Sequence, residues 1–338
     1  RYLGARQGNT TRAREALWKD IQRAAANIKV ASADDFDDLT VGETPSGTAL
    51  ELPDLDLSAL SASRFIDTPP PPQVFHGPIP ASTTGVVYGA GGSSKSTIMQ
   101  ALCNVLATGV DVLGVSWWVP AAPVRVLMLS AEESTADLHR RQHAIVEAVA
   151  TADMLDDGFF DAPEPRAPVL RERLHEGRFV LVSTQGMRIE LANDRGRRKG
   201  ADWLLRQADR GRFDVIVVDP VASYRSGPED AFQPLIDVGR EVNAKAGAAM
   251  VFVHHTSKAS RGTDQAREAT AARGDSALLD GARFGLGVAG MTLEEATKLK
   301  VDPDERRHFV GVRLAKANYS AESDVVWFRR GHAGIPFA

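Results

Sequence analysis

The chain has 338 residues, 43% hydrophobic and 25% charged, with a formal net charge of −4 and a single cysteine, Cys103. That is the composition of a soluble globular protein, and one cysteine excludes an internal disulfide framework and a cysteine metal cluster. A reducing, cytoplasmic location is expected, and no apolar run approaches the ~18–20 residues of a membrane span, so no membrane partner is expected. The length fits two domains or one large α/β domain with an extension, and a start at Arg1 reads as a fragment of a longer chain.

Charge is distributed unevenly. Residues 1–30 hold seven Lys/Arg against Glu15 and Asp20, whereas residues 31–72 hold nine acids against Arg64 alone. A polyanionic partner must then be met by local basic loops, because the rest of the chain is nearly neutral. Residues 10–28 place Leu17, Ile21, Ala24 and Ile28 on one helical stripe with Thr11 as cap. The acidic stretch 31–64 has no sustained period and reads as a linker, stiffened at its end by Pro69 to Pro72. We therefore divide the chain into an amphipathic helix with acidic linker (1–72) and a core (73–338).

The core alternates strand and helix patterns. Strands are expected over 85–88, 124–130, 179–183, 215–219, 249–255, 284–289, 309–315 and 324–329. Helices are expected over 95–107, 134–150, 200–210, 231–245 and 275–282. This order predicts an α/β fold with a doubly wound, mostly parallel sheet and ligands at the strands' C-terminal ends. The last strands carry no helical pattern between them and are expected to form an antiparallel edge.

The first chemical signal is Thr84–Thr97, TGVVYGAGGSSKST. A strand that breaks into a glycine-rich loop and then a helix lets backbone N–H groups curl around phosphate oxygens. The pattern G-x-x-x-x-G-K-[ST] is met at Gly89, Lys95 and Ser96, with Ser94 where the second glycine belongs. The expected nucleotide cradle is Gly89, Ala90, Gly91, Gly92, Ser93, Ser94, Lys95, Ser96 and Thr97, with ATP and Mg²⁺ as ligands. The bland alternative is a glycine-rich turn before an ordinary helix. Next, Glu132 and Glu133 follow a strand. Glu132 is the candidate base for an attacking water, and Glu133 can be only a dipole-favoured helix start. Arg195 to Lys199 (RGRRK) reads as a solvated turn.

Further on, Val215–Asp219 ends an apolar run in a carboxylate, the Walker B position that with Ser96 would hold Mg²⁺. Strand 249–255 ends in His254-His255, and alternation sends one to each side of the sheet. The loop 256–274 carries Lys258, Arg261, Arg267 and Arg273 among small residues, a composition suited to phosphodiester contacts or to a solvated surface loop. Arg283 stands at a strand start, placed to supply a cation that arrives only on assembly; the alternative is an ion pair with Asp280 or a packed surface arginine.

The segments GAGGSSKST, AEESTADLHRRQHAI, VIVVDP, VFVHHTSK, AARGDSALLDGARF and VRLAKANYSAESDVVWFRR occur in one order over about residues 80–330. In that order the chain resembles the RepA-type plasmid and phage replicative helicases, hexameric ring ATPases with a RecA-like core. The resemblance implies Lys95 and Ser96 on phosphates and Mg²⁺, Glu132 as catalytic base and Asp219 as Walker B carboxylate. It implies His255 as a sensor linking γ-phosphate to the DNA-contacting loop, and Arg141 shaping the nucleotide site. Arg283 would be an arginine finger entering a neighbour's site, with Lys316 a second cation. Ser94 departs from the family pattern, Glu133 stands where an aspartate is expected, and the first 72 residues lie outside it. The implied partners are identical subunits, single-stranded DNA, and primase or other replication proteins. Two other functions use the same fold: a RecA-like recombination or repair ATPase, and a nucleotide-gated loader or assembly module with little turnover. The N-terminal helix is expected to dock on an adjacent subunit or to be the tail of an upstream domain.

Overall fold

The computed structural model describes residues 73–155, 165–228, 232–256, 276–318, 324–331 and 334–338. The helix and linker expected over 1–72 lie outside the described residues, as do Lys258, Arg261, Arg267 and Arg273.

A short hairpin, β1 (Phe75–His76) and β2 (Ile79–Pro80), leads into β3 (Thr84–Ala90) and α1 (Lys95–Thr108). Next come β4 (Val126–Ser130), α2 (Thr135–Leu155), α3 (Arg166–His175), β5 (Phe179–Ser183) and a small hairpin, β6 (Ala192–Asn193) and β7 (Gly196–Arg197). Helix α4 (Lys199–Gly211), β8 (Val215–Asp219), α5 (Gln233–Ala246), β9 (Ala249–Thr256), α6 (Ser276–Gly281) and β10 (Phe284–Gly290) complete the alternating part. Helix α7 (Leu293–Leu299), β11 (Phe309–Ala317), β12 (Val326–Arg330) and β13 (Pro336–Phe337) end the chain.

Nine strands form one sheet in the order β13-β12-β11-β10-β3-β9-β8-β4-β5. The six from β10 to β5 run parallel, and β11 to β13 add an antiparallel edge. This is the RecA-like α/β architecture expected from the alternation of patterns. The β-branched runs form the middle of the sheet because both faces are covered. Val215 and Val217 face a core with α1, α2 and α3, while Ile216 and Val218 face a second core with α4, α5 and α6. All four are fully buried, and each such side chain contributes ~1.5–3 kcal/mol relative to exposure.

Close packing explains Gly85 in the central strand. It pairs with Phe284 of β10, and a β-carbon there would lie 2.0 Å from the Phe284 ring. Several elements were not expected. Helix α3 carries only two buried side chains, Ala167 and Leu170, and is tied down instead by Arg173 donating to the Thr108 carbonyl and Arg166 pairing with Asp153. Helix α7 interrupts the strands expected to follow one another directly. Thr292 and Glu295 form a reciprocal capping box at its start, a signal present in the sequence as T-x-x-E. The basic side chains of the run 195–199 are exposed, as expected of a solvated turn, but only Arg195 lies in the turn itself. Gly196–Arg197 form β7 and Lys199 begins α4, with Arg197 paired to Asp202 and Glu241 and Arg198 to Glu190.

Candidate nucleotide-binding site

The tips of β3, β9, β8 and β4 lie side by side at one edge of the sheet. Register places Gly89 beside His255 and Ser130 beside Asp219. Residues distant in sequence are thereby gathered around the loop that joins β3 to α1.

That loop is held from within. Lys95 is 3% exposed, and its Nζ donates to the carbonyls of Gly89 (2.7 Å) and Ala90 (2.9 Å). Gly89 admits nothing larger, because a β-carbon would lie 2.1 Å from the Val288 carbonyl oxygen. Ser94 takes the left-handed conformation (φ 70°, ψ 17°) at the N-cap of α1 and makes no side-chain cap bond. The first-turn N–H groups of a 14-residue helix thus receive no cap from Ser94, the arrangement in which helix N-termini receive phosphate.

Asp219 stands at the tip of β8, 2% exposed. Burial pushes its carboxyl above the usual range, opposed by a hydrogen bond from the Ser96 side chain and by the positive charges of Arg141 and Lys95. Its Oδ2 has no hydrogen-bond partner among the described residues. An orphaned carboxylate oxygen beside a serine hydroxyl fits Mg²⁺, which takes few protein ligands and completes its shell with phosphate oxygens and water. Among the described residues, no cluster of three His, Cys, Asp or Glu offers an all-protein metal cage.

The two glutamates separate. Glu133 is engaged by the Arg141 guanidinium through both oxygens, and Arg141 also donates to Gln100 Oε1 (3.3 Å). Burial lowers the Arg141 pKa, and the negative charge of Asp219 opposes that shift. The Glu132 side chain is 62% exposed, with Oε2 4.0 Å from His255 Nε2. An amide ladder of buried Gln100 and Asn104 with half-buried Gln142 ties α1 to α2 beside Arg141. Sequence reasoning missed that ladder, although the polar residues at helical spacing along both apolar faces were its signal.

The two histidines also part. His254 is buried and meets Phe232 edge-on at 5.1 Å. His255 is half-buried beside the loop, its pKa lowered by burial and by the Lys95 charge, with Glu132 opposing.

Arg283 and Lys316 lie at the other edge of the sheet. Arg283 precedes β10 and its N–H donates to the Thr84 carbonyl at the start of β3. Its side chain is exposed, lines a cavity of about 340 Å³ with Thr84, Arg240 and Asn243, and forms no ion pair with Asp280 among the described residues. Lys316 Nζ donates to the Leu279 and Asp280 carbonyls at the end of α6 (2.7 and 2.8 Å). Neither cation reaches its own chain's phosphate loop. A cation absent from the sequence reading does: Arg330 of β12 donates from Nε to Ser94 Oγ at 2.9 Å.

A RecA-like sheet, a lysine-bearing loop opening a helix, and a buried carboxylate on a neighbouring strand together define a P-loop ATPase. A family model described as an AAA domain matches residues 49–261. The chain belongs to that family. Arg283, Lys316 and Arg330 lie beyond the matched span. Among the described residues, no helix is long and apolar enough to cross a membrane.

Proposed function

We propose that this chain is an ATP-driven DNA translocase of the ring-forming, replicative-helicase type, with ATP sites shared between subunits. The carrying observation is the placement of Arg283 and Lys316 at the sheet edge opposite their own chain's phosphate loop. Cations so placed can complete a site only on a neighbour. In that reading Gly89 to Thr97 cradle the phosphates, with Lys95 leaving its carbonyl partners for the β/γ-oxygens. Ser96 and Asp219 hold Mg²⁺, which when bound neutralises charge on the β- and γ-phosphates. Glu132 accepts the proton of the attacking water, and its exposure lets it approach a ligand that enters from solvent. Glu133 fixes Arg141 beside the Walker B carboxylate. His255, whose buried Nδ1 has no hydrogen-bond partner among the described residues, reads the γ-phosphate and passes its state to the loop that begins after Thr256. Lys258, Arg261, Arg267 and Arg273 on that loop grip single-stranded phosphates, and the segment 1–72 links subunits or joins an upstream domain.

The test is unwinding of a forked duplex, with the mass of the nucleotide-bound assembly measured alongside. The proposal expects ATP-dependent strand displacement by a discrete six-subunit species, stimulated by single-stranded DNA. Turnover without displacement, on an indefinite ladder of assemblies, would support a filament-forming recombination ATPase instead. No turnover at all would support an assembly module.

A further inference from the structure

We propose that Arg330 is a positioning residue of the phosphate loop, holding Ser94 in the left-handed conformation that the cradle needs. The inference rests on the nucleotide-site reading above and adds a member from the far end of the chain, 236 residues from Ser94. The pattern of such loops has glycine at this position because the backbone must turn through positive φ. Ser94 makes that turn at φ 70° with a β-carbon attached, a conformation that is unfavourable for L-residues without compensation. Arg330 supplies the compensation. Its three guanidinium nitrogens are all engaged: Nε on Ser94 Oγ (2.9 Å), Nη1 on the Arg307 carbonyl (3.0 Å) and Nη2 toward the Gly92 carbonyl (3.5 Å). The fork therefore ties the loop to the 3-10 turn Glu305–His308 that precedes β11.

The anchor is itself fixed. Arg329 pairs with Glu305 (3.0 Å), and Arg330 is paired in register with Pro336 of β13. Among the described residues, no carboxylate is a hydrogen-bond partner of Arg330. Serine in place of glycine and an arginine on the last long strand are thus two halves of one device. The serine hydroxyl is what the arginine grips, and a glycine would give it nothing to hold.

The chemistry predicts a specific pattern of loss and rescue. Arg330→Ala removes the grip and leaves Ser94 in an unsupported left-handed turn, so binding of a fluorescent non-hydrolysable ATP analogue with Mg²⁺ should weaken about tenfold. Since the grip acts equally on bound substrate and transition state, KM for ATP should rise by a similar factor while kcat stays within about threefold. Ser94→Gly in the Arg330→Ala background lets the turn form without help and should regain most of the lost affinity. Ser94→Ala keeps the β-carbon and loses the hydroxyl, so it should weaken binding as Arg330→Ala does; it carries the test should Arg330→Ala fail to fold. Binding by Arg330→Ala within twofold of wild type, or a double variant no better than Arg330→Ala, overturns the proposal. Wild-type protein that does not bind the analogue at all overturns the nucleotide-site reading itself, a separable outcome.

Discussion

Replacing Asp219 by Asn should stabilise the ligand-free protein while disabling it. The carboxylate is 2% exposed, one oxygen lacks a partner, and burial outweighs the Ser96, Arg141 and Lys95 interactions that favour its charged form. A carboxyl whose folded pKa is raised binds its proton more tightly in the fold. Its contribution is fully present below the unfolded value near 4 and is lost as pH rises through the folded value. At pH 8, far above the unfolded value, and without metal or nucleotide, the fold therefore bears the cost of keeping this half-partnered carboxyl out of water. A neutral amide of the same shape removes that burden, worth about 1–2 kcal/mol on the scale of an unsatisfied buried polar group. For a core of this size that is roughly 2–8 °C in melting temperature. Thermal melts in EDTA at pH 8 and at pH 5 read the effect, and the gap between the proteins should narrow toward acid. Adding Mg²⁺-nucleotide at about 100 times its Kd should stabilise wild type by ~2.7 kcal/mol and the variant by much less. A variant that melts below wild type at pH 8 in EDTA would refute the reasoning, as would one that keeps the full Mg²⁺-dependent gain.

Other expectations follow from single contacts. Glu132→Gln should bind nucleotide within about threefold of wild type and turn it over ~100-fold more slowly or worse, measured by single-turnover hydrolysis, because a general base contributes ~10²–10⁴. Gly85→Ala must displace the Phe284 ring and should cost ~1–3 kcal/mol in chemical denaturation, the usual range for overpacking. His255, whose folded pKa lies below its ordinary value, makes the fold lose stability as pH falls through the mid-6 range, where the unfolded chain takes up the proton first. His255→Gln should flatten the stability profile between pH 7.5 and 5.5.

Much of this was legible in the sequence because it depends on local pattern. The runs 215–219 and 249–255 are apolar at every position up to their polar ends, and only a sheet covered on both faces uses such strands. Alternation alone assigned His254 and His255 to different faces, and the structure sets one against Phe232 and the other beside Gly89. What stayed hidden depends on distant partners. The sequence separated Glu132 from Glu133 but offered Glu133 only as a helix start; its pairing with Arg141, reaching from α2, was not legible. Helix α3 lacks a continuous apolar stripe, so its stability lies in ion pairs and in one arginine on the end of α1. The same holds for Arg330, which no spacing rule connects to the loop it grips. Ser94 read as a defect in the motif, because its compensation sits on another strand.

A shared ATP site is the claim on which the translocase reading stands, and mixing two inactive variants interrogates it. Lys95→Ala removes the phosphate-loop lysine and leaves Arg283 intact, while Arg283→Ala does the reverse. Each alone should hydrolyse ATP at background rate. If Arg283 acts on the neighbouring subunit, mixed assemblies contain interfaces with both groups intact, and DNA-stimulated hydrolysis should reappear on mixing. Mixtures as inactive as either parent, with mixed assembly verified by mass, would place Arg283 at its own subunit's site and contradict the account.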